Sequence, residues 1–541
     1  MRVSRTDNLD GHSQRRLYAV LTNLGLLLAG AFVFSLAFPS FASKWGWFPL
    51  GFISLVPVFI VVHRSNWAGV FFYGAFYGFV TYSIHNFWLL NFHPLTIFIV
   101  PVIYLAYFVA VFPLLKLADS LFPRYGYILQ LGIWIGYEYL RLQGYLGYAY
   151  GILGYTQFQF IPFIQVADIT GVWGVSLLVA FPSAYLGNAL KNGTERFTRF
   201  LRRHWVDAVT YGLLVVAALV YGFTSQVDYS DSRRWKVAMV QQNIDPWRGG
   251  LTAYRQSLDA LERQSERALE EHEGIETVIW SETSFVPSIR YHERLRERPE
   301  SYDLVKRLLR FLDEQPVPYV VGNDDAELNR LPSGELERVD YNASLLFKEG
   351  ELVEEYRKVH LVPFTEHFPF RDTLPWMYRM LREADTHFWQ EGSEYTVFEA
   401  SGVKFSTPIC FEDTFGYLSR RFVREGAEVI VNMTNDSWAH SVAAAMQHMA
   451  MATFRAVENH RSVVRSTNGG MTTSIDPNGR ITGIIPAFTE DYLVADVPVY
   501  TDTRTFYTRH GNWFPITVMI LSVAALLAGT IVAGIRWYRG D

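Results

Sequence analysis

Eight long apolar runs constrain this chain more than any other feature. A helix that crosses a bilayer needs about 20 mostly apolar residues. Such runs occur at roughly 17–38, 46–62, 68–90, 95–117, 126–142, 163–190 and 205–224, with one more at 514–535. Those at 46–62 and 126–142 are short. The first run could be taken for a signal peptide. It is longer than a signal core, however, no small-residue cleavage site follows it, and six further runs come after it before residue 225. Charge is distributed to match: long stretches before residue 225 carry almost none, whereas 231–400 is dense in Arg, Glu and Asp. The chain therefore reads as a membrane domain of about seven transmembrane helices at 1–224, a water-soluble domain at 225–505, and a C-terminal transmembrane helix with a short tail at 506–541.

Orientation follows from lysine and arginine in the short loops, which favour the cytoplasmic side. With the N-terminus inside, 14 of them, from Arg2 and Arg5 through to Arg539, fall on the inner side, and only Lys44 and Arg141 fall outside. That count places 225–513 outside the cytoplasm and both termini inside. Ionisable groups within spans are functional candidates, and Glu138 and Arg141 are spaced to pair on one helix face. The Gly- and Tyr-rich stretch 145–155 suits a loop at the lipid headgroup level. A net charge of −5 gives no argument for a nucleic-acid partner.

Residues 235–505 alternate strand-like and helix-like patterns. Strands are expected at 237–241, 277–280, 319–322, 342–347, 405–410 and 429–433, and helices at 253–272, 301–313 and 444–459. Asp476-Pro-Asn-Gly479 is a turn between two more strands. Such alternation predicts an α/β layered domain. Catalytic groups in such folds sit where strands end, and three candidates do so: Glu282, Lys358 and Cys410, the last being the sole cysteine. Singly, each has an ordinary reading as solvated cap, surface lysine or small buried hydrophobe. Together they suffice for thioester chemistry. A carboxylate can take the thiol proton, a cation favours the thiolate, and the ammonium can hold a developing oxyanion. Spacing alone does not show that they meet.

The segments Ile279-Trp-Ser-Glu282, Arg357-Lys-Val-His-Leu-Val-Pro-Phe-Thr-Glu366 and Pro408-Ile-Cys-Phe-Glu412 resemble the signature blocks of the nitrilase (carbon–nitrogen hydrolase) superfamily. Two more blocks, Asn432-Met-Thr-Asn-Asp-Ser-Trp438 and Arg465-Ser-Thr-Asn-Gly-Gly470, extend the likeness over about 235–500. The whole chain is similar to the bacterial apolipoprotein N-acyltransferase family, through its span layout, its K-x-H-L-V-P-F-x-E block, and Gln447-His448 followed by Arg455-Ala-Val-Glu458. The resemblance implies a multi-span helical bundle joined to a nitrilase-like αββα sandwich. It implies Glu282 as general base, Lys358 as oxyanion stabiliser and Cys410 as nucleophile. Glu366 matches a further essential carboxylate on a mobile loop and Glu412 a supporting acid, while Asn435 and Trp438 belong to a supporting block. Phe411 stands where the family usually has tyrosine, so a phenol hydrogen bond is missing. Ala439-His440 likewise departs from the usual aromatic and glycine. Trp247 is either a substrate-pocket tryptophan or a packed surface aromatic.

The activity so implied is transfer of an acyl chain from a membrane phospholipid to Cys410, then to the α-amino group of the diacylglyceryl-cysteine of an apolipoprotein. The setting is a bacterial inner membrane with the catalytic domain on the periplasmic side, and no cofactor is expected. A membrane-tethered amidase or nitrilase would use the same three residues. A non-enzymatic lipid- or lipoprotein-binding protein would not need them intact.

Overall fold

A computed structural model describes residues 6–92, 96–191, 194–245, 247, 249–330, 334, 336–368, 370–383 and 387–539; Arg2 and Arg5 lie outside these. Among the described residues, five helices are long and apolar enough to cross a membrane: Gln14–Ala37, Ile97–Leu121, Val172–Leu190, Trp205–Thr224 and Trp513–Arg539. The expected spans at 46–62, 68–90 and 126–142 are not among these five, and the run at 163–190 contributes only residues 172–190. The run at 46–62 is broken into a 3₁₀ turn, Phe48–Phe52, and a helix, Val56–Arg64. Proline near the start of each favours initiation there rather than continuity. The run at 163–190 is interrupted at Gly171, whose φ of 65° ends a pair of short helices before Val172–Leu190 begins. The helix Gly126–Leu140 has 15 residues, about 22 Å of rise, and falls short of a hydrocarbon core of about 30 Å.

The bundle packs through small residues. Helix Trp67–His85 presents Gly74 and Gly78 one turn apart to helix Thr96–Leu121, and a Cβ on either would lie 2.4 Å from Phe108 O or 2.5 Å from Tyr104 O. Only glycine admits so close a backbone approach, the usual route to helix association in lipid. At one pole, His63 Nδ1 and Lys191 Nζ both reach Asp119, at 2.7 and 2.9 Å. Tyr127 and His204 both reach Asp207 there. These contacts join helix ends that the charge count assigns to one side.

Arg141 is not an outer-loop charge and does not form an ion pair with Glu138. It is buried in the bundle, donating to the Tyr82 and Tyr104 hydroxyls and to Tyr150 O. Glu138 instead accepts from Trp134 Nε1 and Leu153 N. The two side chains thus both hold the 145–155 loop, at Tyr150 and at Leu153. Rather than only lining headgroups, that loop meets the α/β domain: Tyr145 donates to His367 O at 2.5 Å and accepts from Phe364 N at 3.0 Å.

The α/β domain sits on this pole, opposite the Asp119 cluster. Its strands are β1 (Arg233–Gln241), β2 (Thr277–Ile279), β3 (Tyr319–Arg330), β4 (Leu336–Lys348), β5 (Glu351–Arg357), β6 (Val397–Ala400), β7 (Val403–Ser406), β8 (Val429–Asn435), β9 (Ser462–Asn468), β10 (Thr472–Ile475), β11 (Ile481–Ile485) and β12 (Asp491–Val499). They form two six-stranded sheets, ordered β12-β1-β2-β3-β4-β5 and β11-β10-β9-β8-β7-β6. Each has a parallel trio at its centre, β1-β2-β3 in one and β7-β8-β9 in the other, flanked by antiparallel strands. The trios are buried on both faces, as parallel strands usually are. The sheets meet face to face: Trp235 packs on Phe405, with centroids 5.0 Å apart, and Ser466 Oγ donates to Ile279 O. Helices Leu251–Glu271 and Pro299–Asp313 cover the first sheet with Leu258, Leu261, Leu304 and Leu308. Gly416–Glu425 and Val442–Asn459 cover the second. The result is an αββα sandwich.

Candidate active site

Glu282, Lys358 and Cys410 lie beyond the ends of β2, β5 and β7, and the sandwich brings them into one buried cluster. Glu282 Oε1 accepts from Asn342 Nδ2 at 2.8 Å and lies 3.5 Å from Lys358 Nζ, while Oε2 accepts the Asn435 N–H at 2.8 Å. Lys358 Nζ donates to Glu366 Oε1 at 2.8 Å, and Glu366 Oε2 accepts from Val362 N at 2.9 Å. The ammonium thus sits between two carboxylates with no solvent exposure. Burial works against its charge, but Glu366 and Glu282 outweigh that and hold the group protonated far above the usual lysine range. Burial also raises the Glu282 carboxyl, against the pull of Lys358. The Cys410 thiol lies well above its ordinary range, first from burial and then from the Glu282 charge, with Lys358 opposing. Burial and the Glu282 charge thus favour the protonated thiol over the thiolate.

Cys410 does not end a strand, as the pattern suggested. β7 stops at Ser406, and Cys410 opens a short 3₁₀ turn, Cys410–Thr414, with φ at 51°. Such a conformation is rarely held by a residue with a side chain and must be over-determined by its surroundings. Glu412 supplies much of that. Its carboxylate accepts from Ile409 N (2.7 Å), Val359 N (2.9 Å), His360 N (3.0 Å) and the Tyr356 hydroxyl (2.8 Å). It thereby ties the Cys410 turn to the segment carrying Lys358. Burial lifts its carboxyl to about 7. Asn432 Nδ2 donates to Pro408 O and Cys410 O from the other side.

The remaining sequence candidates fall around this cluster. Asn435 holds Glu282 through its backbone, its side chain being occupied with Ser437. Trp438 packs edge-on against Trp88 of the bundle, 5.6 Å away. Phe411 fills a carbon-lined space between Phe415, His360 and Tyr148. Trp247 donates from its indole to Thr283 Oγ1 at 3.3 Å and stands beside His387 and Trp389 at the rim. Sequence reasoning missed Asn342, Tyr356 and the bundle residues Tyr148 and Tyr150. Asn342 began a strand that the pattern did show, but nothing local marks Tyr148 or Tyr150 as site residues. It also missed Asp324, Asp340 and His387, whose ligand atoms lie within 4.8 Å of one another. Arg338 already pairs with Asp340, and Trp389 already donates to Asp324.

Gly322 of β3 sets the position of the Glu282 loop. A Cβ there would lie 2.2 Å from Ser281 O and 2.7 Å from Thr283 N. Gly322→Ala is therefore expected to push Glu282 out of place. The predicted loss is about 1–3 kcal/mol of stability, read by thermal unfolding, together with a larger proportional loss of activity.

This is a carbon–nitrogen hydrolase domain built onto a membrane bundle. Residues 236–504 match the carbon-nitrogen hydrolase family, and residues 30–185 match the apolipoprotein N-acyltransferase N-terminal domain. The chain is 42% identical to apolipoprotein N-acyltransferase 1 of Treponema denticola, over 93% of this chain and 95% of that one. It is 39% identical to the Treponema pallidum protein of the same name (95% and 97%) and 30% identical to a Geobacter metallireducens apolipoprotein N-acyltransferase (97% and 96%). A solved nitrilase-superfamily structure from Saccharomyces cerevisiae aligns at TM-score 0.34 and 20% identity, over 49% of this chain and 90% of its own. The chain belongs to the apolipoprotein N-acyltransferase family.

Proposed function

We propose that this protein transfers an acyl chain from a membrane phospholipid to Cys410 and then to the α-amino group of a diacylglyceryl-modified N-terminal cysteine of an apolipoprotein. The observation that carries this reading is that the bundle helps to build the site. Tyr148 of the membrane loop packs on Phe411, next to Cys410, and Trp88 packs on Trp438. A site for soluble C–N substrates has no need of a wall from the membrane domain, whereas substrates anchored in lipid must enter from there.

Glu282 takes the Cys410 proton as sulfur attacks the ester carbonyl. Lys358 stabilises the oxyanion. The ester C–O bond breaks, Glu282 returns the proton to the lysophospholipid oxygen, and the thioester remains. The acceptor amine then attacks the thioester and gives a proton to Glu282. The C–S bond breaks, the sulfur is reprotonated, and an amide is released. Neither step needs an external oxidant or reductant. The catalytic domain lies outside the cytoplasm with both termini inside, on the strength of the charge count and of the domain's place opposite the Asp119 pole.

Phospholipid labelled in its acyl chain should leave a hydroxylamine-sensitive label on Cys410. A diacylated lipopeptide with a free α-amine should then remove it as an N-acyl product. Release of free fatty acid without N-acylation, or an unlabelled Cys410, would overturn the acyltransferase reading.

A further inference from the structure

We propose that His448 is a positioning residue that locks the nucleophile turn to the strand holding the general base. The inference rests on the roles assigned above to Cys410 and Glu282.

His448 lies on helix Val442–Asn459 and is buried. Its Nε2 is 2.8 Å from Asp413 Oδ1, and its Nδ1 is 3.0 Å from Asp436 Oδ1. Asp413 belongs to the same short turn as Cys410. Asp436 directly follows Asn435, whose N–H fixes Glu282 Oε2 at 2.8 Å. One imidazole therefore joins the two elements whose relative placement sets the Cys410-to-Glu282 geometry.

Ionised carboxylate oxygens only accept, so both ring nitrogens must donate and the ring is an imidazolium. Burial works against that charge, but Asp413 and Asp436 carry the ring up to about 9. Arg465 of β9 reaches Asp413 and lies 3.6 Å from Asp436, so two cations balance two anions in a buried set. From the bundle, Tyr150 faces the ring at 6.4 Å between centroids. Glu282, Lys358 and Glu366 complete the charged groups around the thiol. The adjacent Gln447 donates to Pro39 O at 2.8 Å and accepts from Trp88 Nε1, so the same turn of helix is also fixed to the bundle. Losing the imidazolium would free the turn and leave one uncompensated negative charge beside Cys410.

The test uses full-length protein in phospholipid nanodiscs, comparing parent, His448→Gln and Asp436→Asn. Two readouts are followed: the rate of Cys410 acylation against phospholipid concentration, and the pH profile of Cys410 alkylation by a small neutral thiol reagent. His448→Gln is expected to slow acylation roughly 10- to 100-fold, the scale of a misplaced reacting group. The apparent KM for phospholipid should stay within about threefold, because no substrate contact is lost. The alkylation midpoint should move upward, since a nearby cation is gone. Asp436→Asn should also slow acylation, by less, but should move the alkylation midpoint downward, since a nearby anion is gone. If His448→Gln does not fold, Asp436→Asn decides alone. The proposal is overturned if the folded variants acylate within threefold of the parent, or if the slowing merely tracks loss of folded protein while the alkylation profile is unchanged. A parent that is alkylated normally but never acylated removes the phospholipid reading instead, and the alkylation profiles still judge His448.

Discussion

Cys410→Ser protein should fold, insert into membranes and transfer no acyl group. Serine is close to cysteine in size, and among the described residues the Cys410 thiol is neither in a disulfide nor in a hydrogen bond that serine would break. The stability change is therefore expected to stay within about 1.5 kcal/mol. Reactivity is another matter. An alcohol is a far weaker acid than a thiol, and Glu282, a carboxylate held by Asn342 and Asn435, is a base suited to the latter. The reacting groups act as a unit, so loss of one should cost at least about 10³-fold in turnover. Mass spectrometry of the intact variant after incubation with phospholipid should find no thioester and no slow accumulation of an oxygen ester. Transfer at more than a few per cent of the parental rate would show that another residue carries the acyl chain.

The residues of this site were more legible than its shape. Glu282, Lys358 and Cys410 stand out because thioester chemistry calls for a base, a cation and a thiol. The pattern of strands put each of them near a strand end. The sequence could not show the turn at Cys410. Its left-handed φ of 51° is imposed by the Glu412 hydrogen bonds to a segment more than 50 residues away. In Phe-Ser-Thr-Pro-Ile-Cys only Pro408, which cannot donate to a strand ladder, marks locally that the strand stops before Cys410. Asn342 and Tyr148 escaped notice as site residues for the same reason: each is defined by a partner distant in sequence. His448 stood out only as part of the Gln447-His448 block, with no sign of the carboxylates it meets.

The bundle shows the converse. Hydropathy found every apolar helix but not the break at Ile53–Leu55 or the one at Gly171, because continuity depends on proline and glycine conformation rather than apolarity. Arg141 was counted as a loop charge because counting by position cannot see a guanidinium turned inward onto tyrosines. Without Arg141 the tally reads 14 against one, with Lys44 as its remaining outer cation.

Lys358→Met should produce a loss of both activity and stability, and the two should be separable. The side chain is fully buried between Glu282 and Glu366. Removing it leaves the buried Glu282 carboxylate and the part-buried Glu366 carboxylate without a cation between them, a change that typically costs about 3–5 kcal/mol. Glu282 is already raised by burial. Without Lys358 it rises further and takes up a proton, so it no longer serves as a base near neutral pH. A carboxyl whose folded pKa exceeds its unfolded value adds stability below the unfolded value and loses it as pH rises through the folded one. The variant should therefore unfold more easily as pH is raised from about 4.5, a slope steeper than in the parent. Adding Glu366→Gln removes one of the two charges, and the double variant should recover a large part of the lost stability. It should not recover transfer. The ammonium proposed to meet the oxyanion is still absent, and such a donor is worth about 10²- to 10³-fold in turnover. Chemical unfolding across pH and single-turnover acylation of Cys410 measure the two effects independently. If the double variant regained acylation along with stability, Lys358 would be a structural counter-ion only, and the oxyanion would have to be held by another group in the site.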